Sequence, residues 1–224
     1  MVFIFTGFSG CATTTGMKKS DQLDAASRYQ GKRMFLTSSM YYGPFYGDRY
    51  SYLVAPRRFE ELRQLDDQNG RPIIPGPALG IIPAGREVLI EKVEFSPAER
   101  PLLTPRFFPW IYMKVDKTFT DKPHVLVLQP DPASPQDFDR VMGAYLSASD
   151  PRPGINARPA AIRDAIDSKT PVEGMTSADV AASLGYPDAA TRGADAGDEK
   201  WNYPSRCVVF KKGVVTGFYD GACR

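Results

Sequence analysis

The stretch Val172-Glu-Gly-Met-Thr-Ser-Ala-Asp-Val-Ala-Ala-Ser-Leu-Gly-Tyr-Pro187 carries a complete helix with both of its ends. Thr176 offers a side-chain oxygen to the first turn, and Asp179, three residues on, reaches back to complete a capping box. Met175 and Val180 occupy the two positions of a hydrophobic staple. Val180 and Leu184 lie four apart on one face, and Gly185 followed by Pro187 stops the helix, the first free to take positive φ and the second unable to continue. A helix of about nine residues does not persist alone in water, so the chain that follows must cover its apolar face. Trp201 with Tyr203, Cys207-Val-Val-Phe210 and Val214-Val-Thr-Gly-Phe-Tyr219 predict three short strands rich in β-branched and aromatic residues. Lys211-Lys212-Gly213 joins the last two as a hairpin, with Phe210 expected opposite Val214 and Cys207 opposite Gly217.

This order of features resembles the SmpA/OmlA lipoproteins, the BamE-like family. The residues that carry the resemblance are Gly174, Met175, Thr176, Val180, Leu184, Gly185, Pro187, Trp201, Tyr203, Phe210 and Gly213. It covers roughly the last quarter to third of the chain. It implies an α+β unit of two helices on a three-stranded antiparallel sheet, a scaffold that encodes no chemistry, and a part in assembling or maintaining the bacterial outer membrane through contact with envelope proteins. Pro159 to Asp167, with Ile162 and Ile166 four apart, supplies the first of the two helices. Trp201 is assigned to the sheet face that covers Val180, Leu184, Ile162 and Ile166. The same unit also resembles the β-lactamase-inhibitor fold, which implies an inhibitor-type binding protein as the alternative.

Residues 1–11 are apolar, uncharged and far shorter than the roughly 20 residues of a bilayer span. Phe8-Ser-Gly-Cys11 resembles a lipobox, which implies that Cys11 carries lipid; Phe8 stands where leucine is usual, and no basic residue precedes the apolar run. The polar residues from Thr13 to Gln30 then suit a tether, and Ala12 after the cysteine implies the outer membrane. The expected organisation is a shortened signal and tether at 1–31, a β-rich domain at 32–130, a helix and linker at 131–153, and the BamE-like domain at 154–224.

Within 32–130, short apolar and aromatic runs end at Gly and Pro: Met34–Leu36, Tyr41–Tyr46, Tyr50–Val54, Glu87–Phe95, Phe107–Val115 and His124–Leu128. The entry Pro83-Ala-Gly85 into the run at 87–95 resembles small SH3-like barrels, which close their own edges. In that run Val88, Ile90 and Lys92 share one face. The loops would present Tyr41, Tyr42, Phe45, Tyr46 and Trp110, as a binding surface or as core packing. Ser134-Pro135 with Asp137 starts a helix whose Phe138, Val141, Met142, Tyr145 and Leu146 recur at helical spacing. Asp150–Gly154 reads as a linker and Ala189–Gly197 as a small polar loop.

Composition narrows function further. With 28 basic and 26 acidic residues among 224, a net charge of +2 and no basic run, nothing points to nucleic acid. His124 is the single histidine, so His-ligated zinc and Ser-His-Asp chemistry lack parts. Glu60, Glu61, Asp66 and Asp67 alternate with Arg57, Arg58 and Arg63 as on a solvated face. No P-loop, nucleophile elbow or dinucleotide fingerprint is present, so no catalytic residue, metal or cofactor is expected, an enzyme with a site in the middle domain being the least favoured reading. With Cys11 given to lipid, Cys207 and Cys223 form an even pair in an oxidising compartment, as a disulfide or as two separate thiols. The bridge requires the tail after Tyr219 to fold back. The chain is thus expected to be a non-catalytic interaction module facing the periplasm, held to the inner leaflet of the outer membrane.

Overall fold

The computed structural model describes residues 17–46, 50–62, 65, 72–95, 108–115, 122–129 and 132–223. The expected lipidation at Cys11 and the turn at Asp66 and Asp67 lie outside the described residues. In chain order the elements are α1 (Lys19–Tyr29), β1 (Arg33–Leu36), β2 (Met40–Pro44), β3 (Tyr52–Ala55), a 3-10 turn at Phe59–Glu61, β4 (Gly80–Ile82), β5 (Glu87–Glu94), β6 (Trp110–Val115), β7 (His124–Val127), α2 (Pro135–Tyr145) and β8 (Leu146–Ser147). There follow α3 (Arg152–Asn156), α4 (Ala160–Asp167), α5 (Ser177–Leu184), β9 (Ala189–Arg192), β10 (Glu199–Tyr203), β11 (Arg206–Lys211) and β12 (Val214–Asp220). The fold class is α+β.

The first eight strands form one curled sheet in the order β4-β2-β3-β7-β6-β5-β1-β8. A self-closing barrel was the expectation; instead β4 and β8 stand at the two ends of the order, and β3 pairs with β7 in parallel. The sheet is buried on both faces. One face packs Leu36, Met40, Val88, Ile90, Ile111, Met113 and Leu126 against Phe138, Val141 and Met142 of α2. The other face holds Phe45, Leu53, Ala55, Phe59, Trp110, Val125 and Val127. Val125 and Leu126, adjacent in β7, thus enter different cores, as period-two alternation requires.

Several boundaries differ from expectation. The tether proposed to residue 31 contains α1, whose Ala25 is fully buried and whose Arg28 and Tyr29 bond Asp139 on α2 at 2.7 and 2.8 Å. Burial and that bond raise the Tyr29 hydroxyl to about 12. The sheet also runs past residue 130, because β8 pairs with β1. The composition-based linker at Asp150–Gly154 leads into α3, whose Ile155 is buried. In β5 the register shifts between Ile90 and Lys92, so Val93 and not Lys92 continues the buried face, and Lys92 turns out over the Tyr112 ring. A bulge of this kind reverses every later side chain.

The C-terminal unit sets α4 and α5 on a sheet ordered β12-β11-β10-β9. Three strands were expected; Ala189–Arg192, read as loop, is a fourth, paired with β10. The capping box of α5 is complete, with the Thr176 hydroxyl accepting from the Asp179 backbone N–H and Asp179 accepting from Thr176 N–H at 2.8 Å. Arg158 donates to the buried Asp179 carboxylate at 2.8 Å and so balances its charge. Met175, Val180, Ile166, Trp201, Tyr203, Val208, Phe210 and Val215 form one core, with Trp201 and Phe210 ring centroids 5.0 Å apart.

The hairpin turns one residue tighter than expected. Lys211 pairs with Val214 and Phe210 with Val215, around Lys212 and Gly213 at φ 50° and 81°. Two successive positive φ values are what a two-residue hairpin loop of right-handed twist demands. A register shift between Val209 and Phe210 then places Cys207 opposite Tyr219 and not Gly217.

Candidate functional site

The described residues converge on the seam between the curled sheet and the C-terminal unit. The loop at 37–39, between β1 and β2, runs beneath α4 and α5. There Ser39 N–H donates to Ala182 O at 2.8 Å, its hydroxyl donates to Ile166 O at 2.7 Å, and that hydroxyl accepts from Ala84 N–H at 3.0 Å. From the other side the Ser183 hydroxyl donates to Ala165 O at 3.1 Å. Both serines are buried and fully used.

Lys169 closes this seam. It follows α4 with φ 56°, where Thr170 N–H reaches Ala165 O at 3.0 Å and Lys169 N–H reaches Ile166 O at 3.3 Å. This is the helix-ending pattern whose left-handed position usually belongs to glycine, and a side chain there costs about 1–2 kcal/mol. The side chain turns inward and is 3% exposed. Its Nζ donates to Ser39 O at 2.5 Å and Ser183 O at 2.6 Å and stands 5.2 Å from the centre of the Tyr41 ring. Burial pulls the ammonium down to about 7, with Glu61 pulling the other way.

Around Lys169 lies a small depression of about 40 Å³, lined by Tyr41, Arg57, Arg58, Glu61, Ser205 and Arg206 among others. Next to it, and sharing Pro56, Arg57, Glu61 and Leu184, opens a cleft of about 930 Å³. Leu53, Ala55, Leu62, Leu65, Phe108 and Val127 give the cleft an apolar wall, while Gln129, Tyr145, Tyr186 and Asp188 provide polar groups. Its volume falls within the roughly 300–1,000 Å³ of small-molecule sites. Both Arg57 guanidinium nitrogens engage Asp188, and the Ser205 hydroxyl donates to Glu61. The Tyr203 hydroxyl donates to Gly185 O at 2.9 Å, and burial pushes that phenol well above its ordinary range. Gly185, at φ 84°, leaves only 3.2 Å between a notional Cβ and Pro56, so this close approach needs glycine.

The residues singled out from sequence fall in three places. Met175, Val180, Trp201 and Tyr203 are core; Gly174 and Gly185 take positive φ; Thr176 caps; Leu184 and Pro187 are half-buried at the end of α5. The opposite face of the sheet carries Cys207 and Cys223, joined by a disulfide with a Cα separation of 4.9 Å. The tail folds back to make it, with Gly221 at φ 96° and Cys223 N–H donating to Asn202 Oδ1 at 3.0 Å. The aromatics weighed as a binding surface divide: Phe45 and Trp110 pack edge to face at 5.0 Å and are buried, Tyr41 and Tyr42 are half-buried, and Tyr46 is exposed.

His124 is fully buried against the rings of Tyr42 and Tyr52, and neither nitrogen has a hydrogen-bond partner among the described residues. Burial lowers it to about 4, so it is neutral at pH 7. Among the described residues no group of three His, Cys, Asp or Glu side chains is placed to hold a metal, and no helix is long and apolar enough to cross a membrane. Lys169 and Arg206 escaped the sequence reading. The one signal was a lysine immediately past a predicted helix, where glycine is the usual residue. No family model, no curated protein and no solved structure matches the chain.

Proposed function

We propose that the chain is a non-catalytic interaction module of the bacterial envelope, anchored through lipid on Cys11 and acting in outer-membrane assembly or maintenance, with residues 154–224 as a SmpA/OmlA-like domain. The observation that carries this reading is the Cys207–Cys223 disulfide, since such bridges persist in oxidising compartments. The arrangement of α4 and α5 on one face of β10 to β12 supports the family likeness, to which β9 is an addition. Phe218, Tyr219 and Tyr186 lie exposed on the same unit and offer aromatic contact area to a partner protein.

The test is mass spectrometry of the protein extracted from its native membrane, together with identification of the proteins that co-purify in mild detergent. A diacylglycerol-modified Cys11 at the mature N-terminus and recurrent outer-membrane proteins are expected. An intact peptide spanning Met1 to Cys11 without modification would remove the anchor, and recovery only from the cytosol would remove the envelope reading altogether.

A further inference from the structure

We propose that the depression over Lys169 binds the oxyanion group of a small organic anion, a phosphomonoester or carboxylate whose apolar body lies in the adjoining cleft. The argument begins with charge. Arg57, Arg58, Lys169 and Arg206 line the depression, and Glu61 is the one carboxylate among its described lining residues. Asp188 neutralises Arg57, and Arg58 is held against the Tyr41 hydroxyl. Among the described residues neither Lys169 nor Arg206 has a carboxylate partner. Glu61 acts on both Lys169 and Arg58, so among the described lining residues positive charge still exceeds negative.

A buried cation without an anion is costly and is ordinarily paired. Backbone carbonyls take two of the three Lys169 donors, which fixes the ammonium without neutralising it. The strained φ of Lys169 shows that the fold holds it there at a cost. An oxyanion in the depression supplies the missing charge, with Arg206 and Arg58 available for the planar, forked contacts that carboxylate and phosphate favour. The depression, about 40 Å³, is far smaller than the adjoining cleft of about 930 Å³, so it can take at most the head group of a ligand. The rest of the molecule must continue past Pro56 and Arg57 into the larger cleft, whose wall of Leu53, Leu62, Leu65, Phe108 and Val127 is apolar. The site is independent of how the chain is anchored or where it resides.

Calorimetric titration at fixed ionic strength, with chloride as the balancing anion, uses three probes: phenyl phosphate, inorganic phosphate and phenol. Phenyl phosphate is expected to bind at least tenfold more tightly than inorganic phosphate, and phenol at least a hundredfold more weakly than phenyl phosphate. Arg206→Gln, a change at a half-exposed side chain, should weaken both phosphates about tenfold while leaving the melting temperature of the free protein unchanged. Lys169→Met should do the same to binding but lower the melting temperature, because Ser39 O and Ser183 O lose this donor; Arg206→Gln is therefore the variant that reads binding apart from folding. If phosphate binds no better than chloride, or if both variants retain full affinity, the site is refuted. Equal affinities for phenyl phosphate and inorganic phosphate would refute the role of the cleft.

Discussion

Acidification should destabilise this protein through His124. The side chain is fully buried on the face of β7 that Leu126 shares, both ring nitrogens lack partners among the described residues, and burial lowers it from 6.5 to about 4. Between those values the unfolded chain binds a proton that the folded chain refuses, so stability falls as pH falls through that window. At about 1.4 kcal/mol per pH unit the whole gap is worth about 3 kcal/mol, of which about 2 kcal/mol is lost by pH 5. That is a substantial part of the 5–15 kcal/mol of an ordinary domain. Urea unfolding at pH 7, 6 and 5 for the natural protein and for His124→Leu isolates the effect. Carboxylates contribute equally to both proteins, so the difference between the two curves belongs to the imidazole. At pH 7 the variant should be as stable or slightly more so, because an apolar replacement leaves no buried nitrogen unpaired. By pH 5 it should lead by about 2 kcal/mol. Parallel pH dependences for the two proteins would show that His124 gains a proton or a partner in the folded state and would overturn the argument.

Other changes probe the C-terminal unit. Trp201→Ala removes a ring packed on Phe210 and should cost about 3–5 kcal/mol in thermal or urea unfolding; a loss under 1 kcal/mol would show that the tryptophan does not serve the core. Cys223→Ser opens a loop with a sequence separation of 16 and should cost about 3 kcal/mol, read as a melting difference that vanishes under reduction. Thr176→Ala removes half of the α5 capping box, for about 1 kcal/mol. Gly85→Ala places a Cβ 2.6 Å from Arg152 Cγ at a φ of 73° and should destabilise by more than 1 kcal/mol; a neutral effect would mean that both the Arg152 stem and the backbone at residue 85 relax freely.

What could be read in advance was local. The limits of α5, its cap and its stop are set within a few residues of one another, and period-two alternation put Trp201 and Tyr203 on the inner face beside Val208 and Phe210. Elements created by pairing could not be read this way. Ala189–Arg192 has the composition of a loop and is a strand only because β10 offers its edge. The parallel contact of β3 with β7 joins residues 72 apart in the chain, as Tyr52 opposite His124 shows, and no local pattern encodes it. Likewise α1 lacks a strong apolar stripe; one buried alanine and the bonds of Arg28 and Tyr29 to Asp139 hold it in place.

The seam was the least legible part, for a related physical reason. Its residues come from the 37–39 loop, from the segment after β3, from the end of α4 and from the start of β11, and each looks ordinary in its own stretch. Arg57 and Glu61 alternate as on a solvated face, yet each is tied to the C-terminal unit, by Asp188 and by Ser205. Lys169 looks like a polar residue closing a helix, and only the packed structure reveals that its charge has been carried inside. A surface lysine at that position would have no reason to accept a left-handed backbone when glycine is available at lower cost. The strain is therefore tied to what the ammonium does in the seam: it bonds Ser39 O on the sheet side and Ser183 O on the helix side, and so joins the two units through one residue.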